Sequence, residues 1–218
     1  MIRIAWVLAL IMFHGSSFLH AADREERTFA VIVEGKSVGS ATMTFEPNPE
    51  GAENFSISVE AKGRISLISF HYVHSSSETW KDGRLVTIES KTNDDGKKTK
   101  LAGKSSEAGL RLTVNGKDKN VRADALPTSG WRLPVGLANG ARFVTVDTED
   151  GTETTVQVED RGVDRVMLDR KAISARKYKL TGKDLDAEWW FDSDGRPVRQ
   201  LLVWDGHKVT LDLTSIKR

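Results

Sequence analysis

The chain contains no cysteine, so disulfide clamps and thiolate metal sites are excluded from the outset. Charge of either sign is not in excess: 32 Lys plus Arg face 31 Asp plus Glu. The only charge ahead of Ala22 is Arg3, and the balance beyond it is zero, with no basic surplus to steer the protein onto nucleic acid or anionic lipid. Apolar runs are also scarce. After residue 22 none approaches the roughly 20 residues that a membrane-spanning helix needs. No helical period of useful length, low-complexity tract or Gly-x-Ser-x-Gly elbow occurs, and Gly-rich phosphate loops are missing. The motif families that announce an enzyme or a cofactor are therefore not in this sequence, and no cofactor is expected.

What is present begins with a three-part N-terminus. Met1-Ile2-Arg3 is positive, Ile4 to Phe13 is apolar, and a more polar shoulder ends at Ala21-Ala22 before Asp23-Arg24-Glu25-Glu26-Arg27. That pattern is the grammar of a cleaved signal peptide. Residues 1–22 are expected to be the leader, cut near Ala21-Ala22, and residues 23–218 a single all-β domain, periplasmic or secreted. Without disulfides its stability rests on an ordinary core, which a chain of this length can supply.

Alternation with period two runs through the remainder. Phe29, Val31 and Val33 share a face, as do Ala41, Met43 and Phe45, and then Phe55, Ile57, Val59 and Ala61. Each set reads as a half-buried strand. Turn signals punctuate them: Asp82-Gly83, Asp95-Gly96, Asn115-Gly116, Asp194-Gly195 and Asp205-Gly206. These pairs supply the positive φ of tight hairpins. Their spacing of about ten residues is the rhythm of a meander. Two stretches break it. Residues 64–70 suit a short irregular turn as well as a strand. Residues 123–140 carry Pro127, Pro134, Gly130, Gly136 and Gly140, which forbid a central strand and suggest one long connection around Trp131. The expected fold is all-β, about a dozen antiparallel strands in one strongly curved meander sheet forming an incomplete barrel. A two-sheet β-sandwich is the alternative.

The tract from His71 to Leu85, continued by Ser90 to Lys97, and the later tract Tyr178 to Asp192 with Gly195-Arg196-Pro197-Val198 resemble a family of exported bacterial proteins classed as a domain of unknown function. The resemblance covers roughly Thr28 to Leu213. Its architecture is similar to that of the lipoprotein carriers of the outer-membrane pathway. It implies a fold and a compartment, and no reaction and no functional residue.

Candidate chemistry is sparse. His71, His74 and His207 remain beyond the leader, and His71 and His74 fall on opposite faces of a strand, so surface or edge positions are expected and no metal site. Asp184, Asp186 and Glu188 share one strand face, opposite Leu185, Ala187, Trp189 and Phe191. Such a row could supply an acid/base pair for a hydrolase, but a solvated face balanced by neighbouring Lys or Arg is the simpler reading. The adjacent Trp189 and Trp190 must face opposite ways, so Trp190 packs under a loop, meets a ligand or is exposed. The ligand-binding candidates are Trp131, Trp190, Phe70 and Tyr72. Two functions follow as expectations: a carrier for an apolar or lipid-like ligand gated by residues 126–140, or a non-enzymatic envelope module with a filled core that docks an envelope protein. An enzyme using the acidic row stands behind both.

Overall fold

The computed structural model describes residues 24–48, 51–65, 68–106, 109–134, 138–183, 185–204 and 206–218. The expected leader and Asp184 lie outside the described residues. Fifteen strands follow one another: β1 (Glu25–Val33), β2 (Lys36–Pro47), β3 (Ala52–Ile65), β4 (Ile68–Lys81), β5 (Arg84–Asp94), β6 (Lys97–Ser106), β7 (Gly109–Val114), β8 (Lys117–Val121), β9 (Leu126–Pro127), β10 (Arg142–Val146), β11 (Glu153–Leu168), β12 (Lys171–Thr181), β13 (Asp186–Phe191), β14 (Pro197–Trp204) and β15 (His207–Lys217). No helix among the described residues is long and apolar enough to cross a membrane.

All fifteen belong to one sheet, in the order β8-β7-β6-β5-β4-β3-β2-β1-β15-β14-β13-β12-β11-β10-β9. Two meanders, running outward from β1 and β15, are thus joined by pairing of the chain ends. One pairing is parallel, the two-residue bridge of β9 to β10, and the others are antiparallel. The sandwich alternative fails because the strands of the described residues form one sheet. The hairpins form where Asp-Gly and Asn-Gly predict them, with positive φ at both residues of Asp82-Gly83, Asp95-Gly96 and Asn115-Gly116.

Curvature comes from bulges, where one strand carries an extra residue and twists more sharply. Register shifts fall at Thr28/Phe29, Val31/Ile32, Thr79/Trp80, Asp160/Val163 and Trp190/Phe191. The two free edges, β8 and β9, form no ladder with each other, so the barrel stays incomplete. The β7–β8 end of the sheet instead meets the β10–β11 turn: the Glu153 carboxylate accepts from the Arg122 amide at 2.8 Å, and Gly151 lies against Leu112 and Val114.

The predicted alternation holds at atomic level. Phe29, Val31, Ala41, Met43, Phe45, Phe55 and Ile57 are all buried in the main core. A smaller cluster joins Val156, Val158, Leu180, Ala187, Trp189 and Phe191. Buried Arg27 fastens the start of β1 to the β13–β14 turn, through Asp192 at 2.7 Å and the Pro197 carbonyl at 3.1 Å.

Gly39, beside the bulge of β1 and β2, shows how tightly the strands approach. A Cβ there would sit 1.9 Å from the Glu60 carbonyl oxygen, backbone that no rotamer change can move. Gly39→Ala is expected to cost more than about 3 kcal/mol in guanidinium unfolding, against less than about 0.5 kcal/mol for Ser40→Ala on the exposed face.

Candidate functional site

β4 is the strand on which the interior chemistry is arranged. Its even-numbered residues Phe70, Tyr72, His74, Ser76, Glu78 and Trp80 share one face, and from His74 to Trp80 that row is buried. β5 lies beside it with Ser90 and Thr92 buried on the same side. This polar column meets the 123–152 connection, which passes through the concave side of the sheet in two places.

At the lower end the non-strand segment 128–134 inserts Trp131, which is 2% exposed. Its ring stacks on Phe55 with centroids 4.8 Å apart and meets Trp80 edge-on at 5.6 Å. The indole Nε1–H groups of Trp80 and Trp131 both donate to Glu78 Oε2, at 2.7 and 2.8 Å. Burial pushes the Glu78 carboxyl above its ordinary pKa, while the Ser129 hydroxyl, the two indoles and the Arg132 guanidinium pull it back down. Arg132 lies 4.6 Å from the ring centroids of both Trp80 and Trp131, an arrangement of cation and aromatic face. Glu53 binds Arg132 at 3.9 Å and Arg196 at 2.6 Å. Gly130, at φ +69°, brings its carbonyl to the Gln200 amide at 2.6 Å, and a side chain there would strike that amide.

At the upper end the turn 147–152 reaches the same column. Ser90 Oγ donates to the Thr148 carbonyl. The Tyr72 hydroxyl donates to Glu149 at 2.6 Å, and its ring stands 6.2 Å from His74 and 5.9 Å from Trp204. Burial, then the Glu149 charge, raise the Tyr72 hydroxyl well above its usual range, and burial raises Glu149 and Asp147 too. His74 Nδ1 lies 2.8 Å from Thr92 Oγ1, and desolvation lowers its pKa to about 4.

The four ligand-binding candidates therefore do not meet at one place. Trp131 is at the lower end and Phe70 and Tyr72 at the upper, separated along β4 by about 26 Å from Tyr72 to Trp80. Trp190 is buried beneath the β11–β12 hairpin, where its Nε1–H donates to Asp164 at 2.9 Å and Lys177 stands over its ring. Within the acidic row, Asp186 pairs with Lys179 and Glu188 with Lys177. The expectation of surface histidines is corrected at His74, which is interior; His71 and His207 are solvent-accessible beside Glu60 and Glu34. No cluster of three or more His, Cys, Asp or Glu suited to a metal occurs among the described residues. Depressions of about 370 and 320 Å3 are partly open to solvent. The first is lined by Thr44, Glu46, Asn54, Ser56, Thr79 and Glu89 on the outer face, and the second by Glu25, Phe45, Glu53, Asp194 and Arg196 at the lower rim. Sequence reasoning missed Glu78 as the residue that joins β4 to the inserted segment 128–134, the strap. The one available signal was a carboxylate on the same strand face as Trp80.

His74 and Glu78 give opposite slopes of stability with pH. His74 is protonated in the unfolded chain below about 6.5 and in the folded chain only below about 4, so stability should fall as pH drops through that window, by about 3 kcal/mol in all. His74→Asn should flatten that limb. Glu78 has its folded pKa raised, so its contribution should weaken as pH rises above about 4.5. Glu78→Gln keeps an acceptor for both indoles and should reduce the decline, to which the raised Asp147 and Glu149 also contribute, whereas Glu78→Ala strands two buried N–H groups and should cost about 2–5 kcal/mol. Denaturant titrations between pH 4 and 8 measure all three.

Comparison with known proteins agrees with this architecture. A crystal structure of a β-barrel-like protein of the domain of unknown function DUF1849, from Brucella abortus, superimposes with a TM-score of 0.67 at 8% sequence identity, over 89% of this chain and 97% of that one. At such identity the likeness is one of fold. No curated protein matches the chain. Residues 29–214 match the domain of unknown function DUF6134, a span that takes in β4, the strap and the 147–152 turn, and the chain belongs to that family.

Proposed function

We propose that this protein is a non-enzymatic module of the cell envelope, with a filled interior and an outer surface that meets its partner. The observation that carries the reading is the position of Trp131. It fills the concave side of the sheet, where a carried ligand would lie, packed among Phe45, Phe55 and Trp80 and hydrogen-bonded to Glu78. A carrier needs an apolar cavity that encloses most of its ligand. The depressions of about 370 and 320 Å3 are partly open to solvent, and the first is lined mainly by hydroxyl, amide and carboxylate groups. Enzymatic use of the acidic row is disfavoured because the Asp186 and Glu188 carboxylates are each neutralised by a lysine of β12. Exported placement rests on the leader pattern of residues 1–22.

Native mass spectrometry of protein purified from the periplasm, followed by solvent extraction, tests the reading. The expected result is one species at the mass of the processed chain, with no co-purifying lipid and no fluorescence response to acyl probes. A stoichiometric acyl ligand would overturn it in favour of a carrier in which the strap yields to the ligand.

A further inference from the structure

The outer face of β5, β6 and β7 gathers cations that the sequence holds apart. The register places Lys91 directly opposite Lys100, and Lys104 directly opposite Arg111. Lys98 is two residues before Lys100 on the same strand face. All five are exposed, and none forms an ion pair among the described residues. Acids on this face include Glu89 on β5, opposite Ala102 and so between Lys100 and Lys104, and Asp118 on β8, at the margin, which accepts from Thr113 Oγ1.

Two directly opposed pairs of like charge are unfavourable in an antiparallel sheet. Some cations of this chain meet carboxylates at close range, as at Arg199 and Asp212, Lys177 and Glu188, and Arg27 and Asp192. The β5–β7 face instead sets two like-charge pairs on neighbouring ladders, a repulsion that an external array of anions would relieve. Ala102 and Thr113, between the cations, offer nothing to insert into a hydrocarbon layer or to fill an apolar pocket. The face is a short-sided plane with cations about 5 Å apart across strands and about 7 Å apart along them. It suits a broad anionic plane held by charge alone better than a single chain that needs a groove.

We infer that the β5–β7 face docks the protein on the phosphate-bearing surface of an anionic phospholipid membrane, with Lys91, Lys98, Lys100, Lys104 and Arg111 as its contacts. The inference rests on the reading above, in which the outer surface carries the function, and it names the partner of that surface. Near-zero net charge leaves the rest of the molecule without attraction, so the approach is oriented by this one face.

Co-sedimentation with vesicles of phosphatidylglycerol mixed with phosphatidylcholine, against phosphatidylcholine alone, tests the inference on the full processed chain. Binding is expected only to the anionic vesicles, and it should weaken steeply as salt is raised. The double variant Lys100→Glu and Arg111→Glu should lower apparent affinity by at least about tenfold. The same variant converts both like-charge pairs into opposite-charge pairs, so its Tm should equal or exceed that of the wild type. Loss of binding with retained Tm therefore separates docking from misfolding. Arg165→Glu with Lys171→Glu, on the distant β11–β12 hairpin, should leave binding unchanged. Failure of the wild type to bind anionic vesicles at low salt would overturn the inference, as would undiminished binding by the double variant. Binding confined to an acidic polysaccharide or an acidic protein would also overturn it. A carrier, in contrast, would leave lipid in the supernatant bound to protein, an outcome that defeats the filled-module reading without touching the charge dependence of docking.

Discussion

The interaction on which the rest depends is the meeting of two indole N–H groups on one oxygen of Glu78, a fully buried carboxyl. A sheet of fifteen strands encloses more space than its own inward side chains fill in one layer, and the chain fills the remainder with its 123–152 connection. Irregular backbone inside a fold brings amide and carbonyl groups that need partners away from water. This explains a concave wall that is not uniformly apolar. Gln200 meets the Gly130 carbonyl, Ser90 meets the Thr148 carbonyl, and Glu78 takes the Trp131 indole. Each is a polar residue at a position where a simple barrel would carry an aliphatic one. The cost is a carboxyl held in a dry site, and the benefit is that the strap has one seat and one register.

Strand content was legible because burial on one face forces alternation, and the Asp-Gly and Asn-Gly pairs marked the hairpins by their need for positive φ. The turn between β11 and β12 escaped notice because it uses Asp169 and Arg170, both at positive φ, with no glycine to announce it. The count rose from about a dozen to fifteen for a related reason: β8, β9 and β10 have five, two and five residues, too few for a period to show. The adjacent tryptophans behaved as strand geometry requires. Trp189 joins the smaller apolar cluster and Trp190 the larger, so both faces of β13 are covered.

The site was less legible for a definite reason. In His71 to Trp80 both alternating rows are polar, so alternation could not say which faces inward; the direction is set by Trp131, fifty-three residues beyond Glu78 in sequence. Likewise the net charge of the chain reported nothing about its distribution. Lys91, Lys100, Lys104 and Arg111 lie among acids in sequence, and only the β5–β6 and β6–β7 registers bring them face to face. Family and fold add no chemistry to this, because a β-barrel-like architecture is compatible with unrelated functions.

β5 ties the two faces together. Its Ser90 and Thr92 point inward to the 147–152 turn and to His74, while Lys91, between them, points outward to Lys100. A slip of one residue between β5 and β6 would exchange these sets, burying a lysine and exposing the hydroxyls that hold the turn. The interior column therefore fixes the outward position of the cations more firmly than any interaction on the outer face, where the opposed lysines repel. A surface that is locally unfavourable is held in place by a core that tolerates no other register, and this lets an exposed charge array persist in the free protein, as the proposed docking on an anionic surface requires.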